Sequence, residues 1–411
     1  MSDSAVADAV GARLDALIEE RTDANRRFFA AEAERVARLC HRMAERFARG
    51  GRLIAIGRSP AARSDARHVA VEFVHPVIVG KRALPAIGLA GEGGDLAGQL
   101  DLIAGPEDIV IAFGAEEDGG EAARALTLAR ARGCVTIAFS PAGGEYEFEP
   151  LSDDPSIRQE LAETLYHLLW ELVHVFFDHR GLLEGRDARR VHDSGASSFL
   201  YPFLGEQESE LEPVVDDVRR SILMKAQEIG TLRLQTMSEN RATLLGAAGA
   251  LRASFEGGGK LFALGNGGSA TDAMDAVADF RSTARGLRAR PAVDLTEDAA
   301  ILTAIANDIG TDAIFARQVI AYGSPGDALL ALSTSGRSRS IIDALAEGRG
   351  RGLVTVALVG YDGGRVAAEG LADHVIITRS EHIPRIQEAQ ATAYHVLVEL
   401  VELLPPSGGA A

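Results

Sequence analysis

The chain has 411 residues, 46% of them hydrophobic, which is long enough for two or more domains with separate cores. Its formal net charge of −17 at pH 7 argues against general nucleic-acid binding, because phosphate backbones are held by excess Lys and Arg. Cys40 and Cys134 are too few for a disulfide framework or a thiolate zinc site. With no apolar signal-peptide core and no run of roughly 20 apolar residues, we expect a cytoplasmic protein without a membrane partner.

The first half of the chain alternates helical and strand patterns. Residues 9–49 have helical periodicity and end in Gly50 and Gly51. A closing helix is predicted from Arg158 onward. Between these helices, strands are predicted at 52–57, 84–89, 106–112 and 135–139.

The second half repeats this order. RLIAIG at 52–57 matches KLFALG at 260–265, and VTIAF at 135–139 matches VTVALV at 354–359. We infer a tandem duplication in which each copy has a parallel sheet covered by helices on both faces. The predicted organisation is a domain at 1–180, a linker at 181–213 and a second domain at 214–405.

A glycine-rich turn follows the strand at 260–265. Gly267 and Gly268 let the backbone approach a ligand closely, and Ser269 supplies a hydroxyl at the start of the next helix. A second turn, Ser333 to Ser338 in the sequence STSGRS, follows the strand candidate at 327–332 and opens a helix near Ser340. Two such turns in one α/β unit predict a site for a phosphorylated ligand.

The second copy resembles the SIS (sugar isomerase) domain family, and within it the phosphoheptose isomerases. The motifs that carry the resemblance are GNGGSATDAMDAVADF, PAVDLTEDAAILTAIANDIGTDAIFARQV, PGDALLALSTSGRS, VALVGYDGG and RIQEAQATAYH, which together cover most of 214–403. The resemblance implies two tandem SIS domains, each a three-layer α/β/α sandwich with a mainly parallel sheet.

The resemblance also implies which residues bind the sugar phosphate. The matching positions are Asn266, Gly267, Gly268, Ser269, Asn307, Asp308, Ser333, Thr334, Ser335, Ser338 and Gln387. For any single serine, helix capping is an equally good interpretation.

Family members carry two further pairs that bind zinc and transfer protons, a His and a Glu four residues apart, and a Gln and a His eight apart. The first copy has all four residues, as His68 with Glu72 and Gln159 with His167, and these are the predicted metal ligands. Because eight helical residues span about 12 Å, Gln159 should hold the same ion as His167 only from outside a regular helix. A surface salt bridge or an inherited packing contact is the alternative for His68 and Glu72.

The second copy has changed two of these positions. Asp275 stands where the family has His, and Asp279 where it has Glu, whereas Gln387 and His395 are retained. A core histidine is the alternative for His395. In the first copy the phosphate turns have changed instead, to GRSPAARS and to an acidic segment at 112–117. The two copies therefore suggest a division of labour, with phosphate held by the second copy and proton transfer better preserved in the first.

The resulting hypothesis is an aldose–ketose isomerase that converts sedoheptulose 7-phosphate to D-glycero-D-manno-heptose 7-phosphate through an enediol. Glu72 or Asp279 is the predicted base, and His167 or His395 the predicted imidazole shuttle. One alternative is a non-catalytic sugar-phosphate sensor resembling the DnaA initiator-associating protein, and another is an isomerase of a shorter ketose phosphate. Since family members are tetramers of single domains, the resemblance implies a homodimer of double-domain chains.

Overall fold

A computed structural model describes residues 3–78, 81–90, 95–115, 119–150, 152–183, 210–282 and 286–404. They form two compact units. The first unit is Ala24–Glu228, and the second unit combines Met1–Asp23 with Ile229–Ala411. None of the described helices combines the length and apolarity needed to cross a membrane.

The first unit contains a five-stranded parallel sheet in the order β2-β1-β3-β4-β5. Its strands are β1 (Leu53–Ile56), β2 (Ala86–Leu89), β3 (Ile109–Ala112), β4 (Val135–Ala138) and β5 (Tyr146–Glu147). The helices of this half of the chain are α1 (Asp3–Ala48), α2 (Pro60–Val74), α3 (Leu96–Ile103), α4 (Glu121–Ala131) and α5 (Pro155–Asp178).

The second unit repeats this parallel topology in the order β10-β9-β8-β6-β7. Its strands are β6 (Leu261–Leu264), β7 (Ala292–Asp294), β8 (Ala328–Ser333), β9 (Val354–Gly360) and β10 (His374–Thr378). The helices of this half are α6 (Leu211–Glu239), α7 (Arg241–Glu256), α8 (Gly268–Arg281), α9 (Ala299–Asp308), α10 (Ala316–Tyr322), α11 (Arg339–Gly350), α12 (Gly364–Ala368) and α13 (Ile383–Leu403).

Each sheet is covered on both faces, because alternate strand residues enter different cores. In β1, Leu53 belongs to one apolar cluster and Ile54 to another, and in β6 the neighbours Leu261 and Phe262 divide in the same way. All four side chains are fully buried. This confirms the predicted fold class, a three-layer α/β/α arrangement with a parallel sheet in each half.

The boundaries between the units fall inside two helices. The first part of α1 packs in the second unit, where Leu14 and Leu17 join the core, while Phe28 and Phe29 join the core of the first unit. Likewise, residues 211–228 of α6 belong to the first unit. These bounds differ from the expected 1–180 and 214–405. Helical periodicity predicts an apolar stripe, but it does not say which core buries that stripe. Residues 184–209 of the expected linker lie outside the described residues.

Candidate functional site

The glycine-rich turn of the second unit joins β6 to α8. A Cβ on Gly265 would lie 2.1 Å from the carbonyl oxygen of Ser269, so only glycine lets the strand end this close to the helix. Gly267 has a φ of 59°, a left-handed conformation that glycine adopts without strain. Because α8 begins at Gly268, its first backbone N–H groups stand at the turn, where an anion can accept their hydrogen bonds.

The hydroxyl-rich turn joins β8 to α11. Ser333 Oγ accepts a hydrogen bond from the backbone N of Gly336 at 3.1 Å, and Ser335 Oγ accepts one from the backbone N of Arg337 at 3.2 Å. Ser338 is the N-cap residue of α11, yet its side chain makes no capping hydrogen bond. Helix capping therefore does not explain Ser338, and the hydroxyls of Ser333 and Ser335 bind backbone N–H groups within the turn.

Both turns lie at the same edge of the sheet. β6 and β8 are paired with Leu264 opposite Ala331, and β7 lies on the other side of β6. The chain runs from β6 to β7 on one side and then crosses to β8 on the other side of β6. In sheets of this kind, ligands bind outside the carboxyl ends of the two strands between which the chain reverses direction, here β6 and β8. Asn266 Nδ2 donates to Ser340 Oγ at 3.1 Å, which ties the two turns together.

Asn307 and Asp308, the other predicted sugar contacts, lie at the end of α9. Both side chains are exposed, and Asn307 Nδ2 donates to Asp308 Oδ1 at 2.7 Å. Within the described residues no hydrogen bond joins this pair to the two turns. The structure therefore brings the turn residues together without adding Asn307 and Asp308 to them.

A buried imidazole–carboxylate group lies between α8 and α13 of the second unit. His395 Nε2 is 3.3 Å from Asp275 Oδ2 and 3.5 Å from Asp279 Oδ2. Tyr394 donates its hydroxyl hydrogen bond to Asp275 at 2.8 Å. Gln387 is also buried and lies two turns before His395 on α13. His395 is thus buried beside two carboxylates, a polar setting rather than a purely apolar core.

The corresponding group of the first unit lies between α2 and α5. The Nε2 atoms of His68 and His167 are 3.4 Å apart, and His68 Nε2 is 3.9 Å from Glu72 Oε1. All three side chains are buried, so the exposed salt bridge considered for His68 and Glu72 does not apply. Glu72 Oε2 has no hydrogen-bond partner among the described residues.

Gln159 lies within α5 rather than before it, so it does not meet the condition set for sharing an ion with His167. Its Nε2 donates to Asp65 Oδ1 at 3.1 Å and to Glu163 Oε2 at 3.4 Å. Glu163 is fully buried, one helical turn from both Gln159 and His167. The structure thus adds a carboxylate, Glu163, that was not among the predicted ligands.

Burial controls ionisation in this group. It raises the pKa of Glu72 to about 7, where the carboxyl group can release and take up a proton near neutral pH. Burial, and then the neighbouring His167 ring, lower the pKa of His68 well below its usual value. His68 is therefore a neutral imidazole at pH 7, the form that binds metals.

The equivalent turn of the first unit is closed by an ion pair. Arg58 donates to both carboxylate oxygens of Glu121, at 2.8 and 3.0 Å, and Glu121 also accepts the backbone N–H of Leu96. By sequence position, Arg58 corresponds to Asn266 and Glu121 to Ser340. A charged pair here replaces the neutral bridge of the second unit. Residues 116 and 117 of the predicted acidic segment lie outside the described residues.

The ligand types and spacing of the first unit fit zinc. His68, Glu163 and His167 each offer one ligand atom, and these atoms lie within 4.8 Å of one another. Zinc prefers such nitrogen and carboxylate donors, and two nitrogens each about 2.1 Å from one tetrahedral ion lie roughly 3.4 Å apart. The observed His68–His167 separation has this value.

Sequence reasoning missed Glu163 and the Arg58–Glu121 pair. The signal for Glu163 was its position midway between Gln159 and His167, which places all three on one face of α5. No local pattern indicates the Arg58–Glu121 pair, because these residues are 63 positions apart.

Comparison with known proteins relates the second half of the chain to sugar isomerases. Residues 226–360 match the family model described as SIS domain. The chain is 47% identical over 167 residues to phosphoheptose isomerase of Chlorobium phaeobacteroides, covering 40% of this chain and 73% of that protein. It is 48% identical over 159 residues to phosphoheptose isomerase of Geobacter metallireducens, covering 38% and 82%.

Two solved structures match nearly the whole chain. The C-terminal domain of glucosamine-fructose-6-phosphate aminotransferase from Francisella tularensis has a TM-score of 0.59 at 10% identity, covering 95% of both chains. Tagatose-6-phosphate ketose/aldose isomerase from Escherichia coli has a TM-score of 0.57 at 14% identity, covering 95% of this chain and 92% of its own. At these identities the similarity shows the fold alone.

Proposed function

The chain belongs to the SIS domain family, and on that premise we propose that it is a sugar-phosphate aldose–ketose isomerase. The observation that carries the proposal is that the second unit contains both kinds of group that the reaction needs. Within one unit, a glycine-rich turn and a hydroxyl-rich turn lie at one sheet edge, and a buried imidazole lies beside two carboxylates. An isomerase of this kind needs both parts, a grip for the phosphate and a proton-transfer group.

The two turns of the second unit bind the phosphate of the substrate. Backbone N–H groups at the start of α8 and the hydroxyl of Ser338 donate to the phosphate oxygens. This binding suits a strongly acidic chain, because it depends on oriented dipoles rather than on a basic surface. Holding the phosphate fixes the sugar relative to the proton-transfer group.

A carboxylate removes the proton from the carbon next to the carbonyl and returns it to the neighbouring carbon. Asp279 performs this step in the second unit, since its side chain is partly exposed and within 3.5 Å of His395. His395 moves protons between the sugar oxygens. Asp275 contacts His395 and accepts a hydrogen bond from the Tyr394 hydroxyl, which fixes the orientation of the imidazole. In the first unit, Glu72 and His167 are the corresponding pair.

Zinc would be held in the first unit by His68 and His167 together with a carboxylate ligand, and would supply Lewis-acid polarisation of a carbonyl oxygen.

The name of the related phosphoheptose isomerases supports a heptose phosphate as substrate. We take sedoheptulose 7-phosphate and D-glycero-D-manno-heptose 7-phosphate as the substrate pair. A shorter ketose phosphate such as fructose 6-phosphate is the alternative within the same reaction class.

A coupled assay for heptose phosphate formation tests this function. Asp279→Asn and Glu72→Gln, made separately in the full chain, keep the shape of each side chain while removing its charge. We expect kcat to fall about 100-fold or more in at least one of them, as for loss of a general base. The control is Asp216→Asn, which removes the charge of an exposed aspartate that pairs with Arg219 on α6 and belongs to none of the predicted sites.

The contrary result is a wild-type protein that binds sugar phosphates without converting any of them. A thermal-shift screen over ketose and aldose phosphates of five to seven carbons detects such binding, because a ligand of the folded state raises apparent stability. Stabilisation without turnover overturns the isomerase proposal in favour of a sugar-phosphate sensor. The replacement of the family's His by Asp275 is the observation that favours this second candidate.

A further inference from the structure

The closing helix of the second unit, α13, carries a buried amide beside the hydroxyl-rich turn. This residue, Gln390, is 1% exposed. Its Nε2 donates to the backbone oxygen of Ser333 at 3.4 Å. Its Oε1 is buried and has no hydrogen-bond partner among the described residues. Gln390 therefore uses one half of its amide on the turn and leaves the other half without a bond.

The hydroxyl-rich turn packs closely against the start of α13. A Cβ on Gly360, the last residue of β9, would lie 2.4 Å from Thr334 O and 2.6 Å from Ile386 Cγ2. Gln390 follows Ile386 by four residues, so the two side chains lie on the same face of the helix. The face of α13 that contacts the turn therefore carries Gln390 one helical turn after Ile386.

The same face of α13 continues to the proton-transfer group. Tyr394 follows Gln390 by four residues, and its hydroxyl donates to Asp275 at 2.8 Å. Asp275 in turn contacts His395. Four helical residues rise about 6 Å, so Gln390 lies one turn of α13 before this group. A change in the position of the turn relative to α13 would therefore change the distance from a bound phosphate to His395.

The stability of the free protein does not explain a glutamine at this position. A backbone carbonyl only accepts hydrogen bonds, so the nitrogen of Gln390 faces Ser333 O and the amide oxygen points away from it. A buried acceptor without a partner costs free energy, which an apolar side chain of the same size would avoid. At 3.4 Å, the single bond is also longer than the usual distance of about 2.9–3.0 Å.

The first unit has no amide at the equivalent position. In the aligned closing helices, Ala162 stands at the position of Gln390. The next position is reversed, with Glu163 in the first unit and Ala391 in the second. All four side chains are buried. Because successive helical residues point about 100° apart, the buried polar side chain faces a different neighbour in each unit. The glutamine thus occurs in the unit that also has the hydroxyl-rich turn.

We propose that Gln390 is a positioning residue for phosphate binding. Its amide nitrogen holds the carbonyl of Ser333 and so sets the distance between the hydroxyl-rich turn and α13, the helix that carries His395. The bond shortens when the turn closes on a phosphate, as hydrogen bonds of a free enzyme tighten in its complexes. Gln390 touches neither the phosphate nor the reacting carbons. This inference rests on the proposed function, because it assigns the phosphate to the second unit.

Binding of inorganic phosphate to the full chain tests this role. Gln390→Met keeps the length of the side chain and removes both halves of the amide. Calorimetry should show the phosphate affinity reduced about 5- to 10-fold, the effect of one neutral hydrogen bond. The Tm should stay the same or rise, because the buried acceptor without a partner is also removed. At pH 8, Gln390→Glu places a second acceptor against Ser333 O and should weaken binding further.

Gln318→Met is the matched control. Gln318 is also a buried glutamine of the second unit, and its Nε2 donates to the backbone oxygens of Leu295 and Ile314 at 2.9 and 3.0 Å. Loss of these bonds should lower the Tm and leave the phosphate affinity unchanged. Equal losses of affinity in the two variants would overturn the positioning role, since the effect would then belong to any disturbed core.

Steady-state kinetics separate positioning from catalysis. Gln390→Met should raise KM about 5- to 10-fold and change kcat by less than about twofold, whereas loss of a proton-transfer residue lowers kcat. Unchanged KM together with unchanged phosphate affinity overturns the inference and leaves the isomerase proposal intact. A wild-type chain that binds phosphate but converts no sugar phosphate overturns the isomerase proposal alone.

Wild-type crystals soaked in phosphate give an answer that does not depend on how any variant folds. The distance from Gln390 Nε2 to Ser333 O should fall from 3.4 Å to about 3.0 Å when the turn holds phosphate. A phosphate-bound turn from which Gln390 has separated would refute the role of this residue. A wild-type chain without affinity for phosphate overturns both proposals.

Discussion

His68 and His167 of the first unit face each other with 3.4 Å between their Nε2 atoms, although 99 residues separate them in the chain. The equivalent pair of the second unit, Asp275 and His395, is 3.3 Å apart. Both copies therefore keep a contact between the helix after their first strand and their closing helix. The chemistry of that contact differs, since two imidazoles favour metal binding and an imidazole beside a carboxylate favours proton transfer.

The hydroxyl of Ser338 should affect substrate binding without affecting stability. It makes no capping hydrogen bond to α11, so Ser338→Ala removes the proposed phosphate donor and should leave the helix intact. We expect KM for the sugar phosphate to rise about 10-fold, the effect of one lost hydrogen bond to a charged group, with little change in Tm. Steady-state kinetics and thermal melting measure the two effects.

Ser59 of the first unit provides the control for this experiment. Its hydroxyl accepts a hydrogen bond from the backbone N of Ala62 and caps α2. Ser59→Ala should lower the free energy of unfolding by about 1 kcal/mol and leave KM unchanged. If Ser59→Ala raises KM while Ser338→Ala lowers only the stability, the second-unit turn does not hold the phosphate.

The glycine after β1 and the glycine after β6 should both be necessary for folding, but only the glycine after β6 should be necessary for ligand binding. A Cβ on Gly265 would lie 2.1 Å from Ser269 O, and one on Gly57 would lie 2.2 Å from Ala62 O. Each Gly→Ala change should therefore lower the free energy of unfolding by more than about 1 kcal/mol. At a temperature where both variants are folded, only Gly265→Ala should weaken binding of inorganic phosphate, measured by calorimetry. Equal phosphate affinity in the two variants would contradict the assignment of the site to the second unit.

Two equivalent aspartates should make the protein sensitive to acid. Burial opposes ionisation of Asp108 and Asp327, but hydrogen bonds from Arg52 and Lys260 and from backbone N–H groups outweigh it and lower the pKa of both carboxyls. A carboxyl group whose pKa is lowered by folding stabilises the folded state above its unfolded pKa, here 3.8. That stabilisation is lost as the pH falls below 3.8 toward the folded pKa.

The Asp327→Asn variant tests the origin of this acid sensitivity. At pH 7 it should lower the free energy of unfolding by about 1.5–3 kcal/mol, the contribution of hydrogen bonds to a charged group. Its unfolding free energy should also depend less on pH below 4 than that of the wild type. Denaturant titrations across pH 3–7 measure both quantities. If the unfolding free energies of the two proteins fall equally with decreasing pH, Asp327 is not a source of the acid sensitivity.

The apolar helix α9 should take part in self-association. It contains Ile301, Leu302 and Ile305, yet none of its residues is buried, and the adjacent Ile309 is 59% exposed. Apolar surface of this kind is often covered by a partner subunit. We expect light scattering to show a homodimer in the wild type and a larger monomer fraction in Ile309→Asp. A monomeric wild-type protein would contradict the predicted assembly.

The sequence by itself determined the local elements of this protein. Alternation of apolar strands with amphipathic helices predicted two parallel α/β sheets, because strand and helix periods depend only on neighbouring residues. The glycines at 267 and 268 predicted the turn before α8, since glycine permits close approach and positive φ, and Gly267 has a φ of 59°. The duplication was visible because matching strands recur in the same order.

Only the tertiary structure decided which distant side chains meet. It placed Glu163 beside His68, closed the turn of the first unit with Arg58 and Glu121, and divided α1 between two cores. Each of these outcomes depends on how helices pack against a sheet across many tens of residues. A periodic pattern specifies that a helix face is buried, but the partner of that face is chosen by the packing of the whole unit.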